Sequence, residues 1–276
     1  MKRAPDNIVL AGLMPHAPVL IPQVAGSRLG EVEVSVASMR QLSRRALDCA
    51  PARVVVISPH APRRPGMFGI WTVPLLEGSL HLFGFDHIRV TLPNDTALVA
   101  AAREVAREMG IHLWSITDEP LDHGAVVPLH FLVEAGWSGP TVVLSLNYPG
   151  EGGVFELGEA VRRASAALPG PTVVIASGDM SHRLKSDAPA GFHPEAKRFD
   201  ESFVQLIRAG DFHGLEALDP ELVRHAGEDV VESTLVAATA VGFRNQDHKV
   251  LSYEGPFGVG YCVALLHHET HADMPV

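Results

Sequence analysis

The sequence predicts an α/β fold built on a central, largely parallel β-sheet. Short, β-branched apolar runs recur at residues 8–13, 53–59, 141–146 and 172–177, and segments with helical apolar spacing stand between them. Apolar runs of strand length without polar alternation belong to strands covered on both faces. Strand–helix–strand order is the order of a parallel crossover. The chain has 276 residues, 46% hydrophobic and 20% charged, which is enough for one large core. No repeat or linker interrupts it, so a single domain over 1–266 and a polar tail over 267–276 are expected, with antiparallel strands confined to the sheet edges.

Each element follows from its own pattern. Residues 32–50 carry Val34, Met39, Leu42 and Leu47 at helical spacing and link the first two strands. Residues 63–90, rich in Gly, Pro and aromatics, read as loops with hairpin-like strands near 69–73 and 80–83. Asn94 or Asp95 is placed to cap a helix running to Met109, which Gly110 ends. A short strand is expected at 111–116, and helices at 127–136 and 155–168. After a loop at 186–194, helices are expected over 195–209, 215–218 and 228–241, then closing strands over 248–255 and 258–266.

Composition excludes several functions. A net charge of -10 with no dense basic run argues against nucleic-acid binding. Cys49 and Cys262 lie beside apolar stretches, too few and too distant for a disulfide framework, and read as small buried hydrophobes. Pro5, Asp6 and Asn7 delay the first apolar run and Pro15–His16 break it, so neither a signal peptide nor a membrane span is read and the cytoplasm is the expected location. No GxGxxG follows the first strand, and GxxxxGK[ST] and GxSxG are missing, which removes nucleotide-cofactor, P-loop and serine-hydrolase readings.

The chemistry collects where histidines follow strands. His16 sits in MPHAP after the first strand, His60 in SPHAP after the second, and His182 in GDMSH after the run at 172–177. The carboxyl ends of parallel strands share one edge, where α/β sheets bind ligands, so these side chains can meet. Flanking prolines restrict the backbone on both sides of His16 and His60. Two imidazoles and a carboxylate make the facial triad of non-haem Fe(II) oxygenases, but zinc hydrolases use the same residue types, so the metal stays open at this level. The carboxylate is open too, among Glu228, Asp229 and Glu232 in AGEDVVESTLVAA. Acids in a helix's first turn also need no functional reason. Asp122–His123–Gly124 reads equally as a pocket histidine with an orienting acid or as a helix start capped by Asp. Arg63 and Arg64 are placed either to receive a carboxylated substrate or to stay solvated. His267, His268 and His271 make a histidine-rich end that reads as a frayed terminus or an adventitious metal site.

With PHAPxL, SPHAP, LDHG and SGDMSH in view, the chain resembles the catalytic-subunit superfamily of class III extradiol ring-cleavage dioxygenases (the LigB-like family), related to Memo-like proteins. The resemblance covers most of the chain. It implies a single-domain α/β fold with Fe(II) held by His16, His60 and a carboxylate, for which Glu228 is the best match. It implies His182 as acid–base histidine and His123 as a second pocket histidine, acting on a small aromatic diol and O2. Several members of the superfamily add a small accessory subunit or domain, so self-containment, a homo-oligomer and an accessory subunit all stay open. The alternatives are a Memo-like metal- or peptide-binding protein without oxygenase activity, or a zinc hydrolase on the same site. Memo-like relatives carry Cys in place of the carboxylate, and neither Cys49 nor Cys262 lies in that stretch.

Overall fold

The computed structural model describes residues 7–269. In chain order it comprises β1 (Ile8–Met14), the short α1 (Pro22–Ala25), α2 (Glu33–Asp48), β2 (Arg53–Ser58), β3 (Phe68–Trp71), β4 (Leu75–Leu80) and β5 (Phe85–Pro93). There follow α3 (Thr96–Met109), β6 (Leu113–Ile116), α4 (His123–Glu134), β7 (Thr141–Ser145), α5 (Val154–Ala166) and β8 (Thr172–Ser177). The chain closes with α6 (Ala196–Ala209), α7 (Pro220–Ala226), α8 (Val231–Ala240), β9 (Lys249–Glu254) and β10 (Tyr261–His268).

Eight strands form one sheet in the order β6-β3-β7-β2-β8-β1-β10-β9, and β4 and β5 form a separate hairpin. The central strands β7, β2, β8 and β1 are mutually parallel, while β10 and β9 add antiparallel on one side and β3 antiparallel to β7 on the other. The fold class read from the sequence is therefore the observed one, a single α/β domain with a mixed sheet. Its central strands are buried along their whole length because alternate side chains feed two cores. Val55, Ile57, Val142, Leu144, Val174 and Ala176 face a core that includes α5, α6 and α8; Val54, Val56, Val143, Val173 and Ile175 face one that includes α2, α4 and the hairpin.

Several expectations change in detail. Asp95, not Asn94, caps α3, its carboxylate accepting from the Leu98 amide at 2.9 Å, and Gly110 ends the helix at φ 75°. In α2 the inward stripe is Val36, Met39, Leu42 and Ala46; Val34 is 57% exposed. The strand expected at 80–83 is the 3-10 turn His81–Phe83 at the hairpin tip, and β3 joins the main sheet. Helix α4 starts at His123, four residues before the expected start, because Asp122 caps it. The helix expected from 228 begins at Val231, and α7, capped by Asp219, was not anticipated. Nor does a polar tail begin at 267: β10 runs through His268, His267 is fully buried and opposes Ala11, and the Glu269 amide donates to Val9. His271 lies outside the described residues. Cys49 and Cys262 are both free and buried, and burial pushes the Cys262 thiol up to about 12. No helix among the described residues is long and apolar enough to cross a membrane.

Candidate metal centre and active site

Because β1, β2 and β8 are parallel, their carboxyl ends lie on one edge. Each of these strands places a polar residue two positions past its end: His16 after Met14, His60 after Ser58 and Asp179 after Ser177. His182, three residues further on, does not occupy the equivalent place; Asp179 does.

His16, His60 and His123 converge. Ligand-capable atoms of the three all lie within 4.8 Å of one another, and their ring centroids are 4.7 Å (His16–His60), 5.4 Å (His16–His123) and 4.2 Å (His60–His123) apart. The acid that faces them is Asp229. Its Oδ2 is 2.9 Å from His60 Nε2 and 3.5 Å from His16 Nε2, while its Oδ1 accepts from the Asp179 amide at 2.7 Å. Glu228, the residue expected in that role, turns away: its Oε2 accepts from the amides of Val230 and Val231 at 2.6 and 2.8 Å. The physical reason is that 228–230 precede α8, so their side-chain directions follow capping rather than helical periodicity. Glu232, one turn further, accepts from the Gly150 amide.

The tautomer of His16 is set by its surroundings. Ser177 Oγ donates to the Gly124 carbonyl at 2.5 Å, so it receives the Nδ1–H of His16 at 3.0 Å. In the neutral imidazole that leaves the lone pair of His16 on Nε2, a buried atom with no hydrogen-bond partner among the described residues. Such an orphaned nitrogen, aimed at a second imidazole and a carboxylate, fits a cation. Donors subtending a right angle at an ion about 2.1 Å away stand roughly 3 Å apart, close to the His60–Asp229 and His16–Asp229 separations. Two glycines allow this packing. A Cβ on Gly178 would lie 2.5 Å from Val230 Cα, and one on Gly124 would lie 2.5 Å from Ser58 Oγ, so larger residues would push the 228–230 turn and α4 off the strand ends.

Electrostatics sort the groups. Burial works to lower the His16 pKa, yet Asp179, Asp229 and Asp122 outweigh it and raise it to about 9. Burial, with the neighbouring charges of His60, His16 and His182, drives His123 down to about 3. Burial alone would raise the Asp229 carboxyl, but His16 and His60 hold it well below the usual carboxylate range. Burial raises Asp179, and pushes Glu228 up to about 8. His182 Nδ1 is buried without a hydrogen-bond partner among the described residues. Asp122 caps α4 through the Ala125 amide and accepts from Ser58 Oγ at 2.6 Å; its carboxylate braces the start of α4 rather than the His123 ring.

The two arginines after His60 are engaged locally. Arg63 donates to the carbonyls of Pro59 and Asn147, and Arg64 stacks 3.9 Å from the Trp114 ring centroid. A cleft of about 770 Å³, lined by Leu146, Val154, Phe155, Val231 and Leu235, reaches Glu228 and Asp229 but none of the histidines. Sequence reading missed Asp229's orientation, Ser177 and Ser58. The signal for the serines was present, since β2, β7 and β8 all end in Ser.

The family model for the catalytic LigB subunit of aromatic ring-opening dioxygenase matches residues 10–264. The chain belongs to this LigB family. Among curated relatives, Protein CA_C1420 of Clostridium acetobutylicum is 27% identical over 263 residues, covering 92% of this chain and 56% of that protein. The LigB-family chain thus spans little more than half the length of that relative. A 3,4-dihydroxyphenylacetate 2,3-dioxygenase of Escherichia coli is 22% identical over 273 residues, covering 89% of this chain and 94% of the enzyme. The crystal structure of the uncharacterized protein JW3007 from Escherichia coli K12 superposes with a TM-score of 0.63 at 19% identity, covering 93% of this chain and 98% of that one, and shares its fold.

Proposed function

We propose that this LigB-family protein is a non-haem Fe(II) dioxygenase that opens the ring of a catecholic substrate beside its two hydroxyls. The observation that carries the reading is the orphaned Nε2 of His16, facing His60 and Asp229 at the carboxyl edge of the sheet. His16, His60 and Asp229 would hold the metal, and His123 is near enough to add a fourth nitrogen. When bound, Fe(II) supplies the redox chemistry that lets dioxygen react with an aromatic diol, both oxygen atoms entering the product. The chain's own residues do the rest. Ser177 fixes the His16 tautomer, and Asp179 fixes the His16 backbone through its amide at 2.9 Å. His123, neutral at physiological pH, is suited to hydrogen-bond a substrate hydroxyl. His182 Nδ1, buried and uncommitted, is suited to accept the catechol proton and return it.

The test is oxygen uptake by the iron-reconstituted protein over a panel of catechols, with a yellow ring-opened product expected. His182→Ala should keep iron and bind catechol but lose roughly 10²–10⁴-fold in turnover, the usual worth of a positioned acid–base group. A fully iron-loaded protein that binds no catechol and consumes no oxygen would overturn the reading. One zinc per chain with hydrolysis of an ester or amide would favour a hydrolase.

A further inference from the structure

The β4–β5 hairpin is fastened next to the site and free at its tip. Its base is tied down two residues before His123: the Leu121 amide donates to the Glu77 carbonyl at 2.7 Å, Gly78 and Leu121 form a parallel bridge, and Leu76 and Leu80 are buried. The tip, the 3-10 turn His81–Phe83 closed by Gly84 in the left-handed region at φ 84°, carries two apolar side chains outward. Leu82 is 83% exposed and Phe83 44% exposed. Phe83 nonetheless touches the histidine cluster, its ring centroid 5.0 Å from that of His123 at an interplanar angle of 65°. His123 in turn lies 4.2 Å from His60. An aromatic diol bound beside His123, at the metal that His16, His60 and Asp229 would hold, therefore has Phe83 as an apolar neighbour on the hairpin side. Leu82 and Phe83 are adjacent and exposed, so the tip presents a small apolar surface beside His123.

We infer that Phe83 is a specificity-determining residue: it forms the substrate-facing wall of the site and, with Leu82, selects catechols that bear an uncharged, apolar ring substituent. The arginines that follow His60 agree with this, since Arg63 is committed to the carbonyls of Pro59 and Asn147 and Arg64 to the Trp114 ring, leaving that loop's cations engaged. Phe83 meets the substituent edge or face, and Leu82 extends the apolar surface outward. The inference rests on the ring-cleavage reading and adds the class of ring it accepts.

Anaerobic titration of the iron-loaded protein with catechol, 4-ethylcatechol and 3,4-dihydroxybenzoate tests it, using wild type, Phe83→Ala and Phe83→Arg. Phe83 is half-exposed, so both variants should melt near the wild-type temperature and retain their iron. Wild type should bind 4-ethylcatechol in preference to 3,4-dihydroxybenzoate. Phe83→Ala should weaken 4-ethylcatechol by about 3- to 10-fold relative to catechol, the usual size of one aromatic contact. Phe83→Arg should shift the ratio of the two substituted catechols toward the carboxylate. Identical ratios in all three proteins would overturn the inference and leave the ring-cleavage reading standing. A wild type that binds none of the three catechols would overturn both.

Discussion

At the level of the residue, the proposed metal site turns on one carboxylate. Asp229 spans from the Asp179 amide to the two imidazoles, whereas its neighbour Glu228 is spent on the amides of Val230 and Val231. Asp229→Ala should therefore abolish metal retention and Glu228→Gln should keep it; metal analysis of the purified variants checks this, and the reverse result would return Glu228 to the ligand role that the family resemblance implies. This was illegible in the sequence because the two acids are adjacent and only the start of α8, at Val231, decides which one turns inward. The prolines of MPHAP and SPHAP, by contrast, made His16 and His60 legible, since position past a strand end is a backbone property. Proton linkage gives a second prediction. Asp179, Asp229 and Asp122 hold a proton on metal-free His16 up to about pH 9, and metal must displace it from Nε2. Metal affinity should then rise with pH, roughly tenfold per unit between pH 6 and 8 for one released proton. Competition against a chelator across that range measures it, and a flat profile would mean His16 is already neutral.

Among the elements, the turn after β8 is the best braced. The Ser181 amide donates to Asp200 Oδ1 at 2.9 Å, Tyr253 donates to Asp200 Oδ2 at 2.7 Å, the Met180 amide donates to the Gly260 carbonyl, and the Gly260 amide donates to the Ser181 carbonyl just before β10. Asp200, on α6 and fully buried, thus locks the segment that bears Asp179 and His182. Burial raises its pKa to about 7, with Ser181 and Tyr253 pulling it back. The sign follows from the unfolded value near 3.9. Between about pH 4 and 7 the unfolded chain is ionised and the folded one protonated, so stability falls as pH rises through that window and stays low above it. Asp200→Asn keeps the shape without the proton, and the wild-type-minus-variant stability should drop by on the order of 3–4 kcal/mol from pH 4 to 8. Urea unfolding at several pH values reads it; parallel curves would show that Asp200 is ionised in the fold. Legibility at this scale tracked patterning. The buried strands and capped helices such as α3 were plain, but the hairpin tip and α7 were not, because the short runs around Leu82 and Leu222 carry too few residues to show a period.

Taken whole, the molecule gathers the residues of the proposed site at one sheet edge and sets a hairpin beside them. The parallel order of β2, β8 and β1 gathers His16, His60 and Asp179, the turn before α8 brings Asp229, and α4 brings His123. Where an accessory chain would close over such an edge, this chain has the β4–β5 hairpin, tied to Leu121 and touching His123 through Phe83. The hairpin is packed against α4 on one face, which supports it from within the chain. The expectation is that turnover per iron stays constant as the pure protein is diluted and does not rise when cell extract is added back. A specific activity that falls on dilution would mean a second copy completes the site, and one restored only by extract would mean an accessory chain does. A constant specific activity would agree with the proposed apolar wall, which residues 75–93 of the same chain would build.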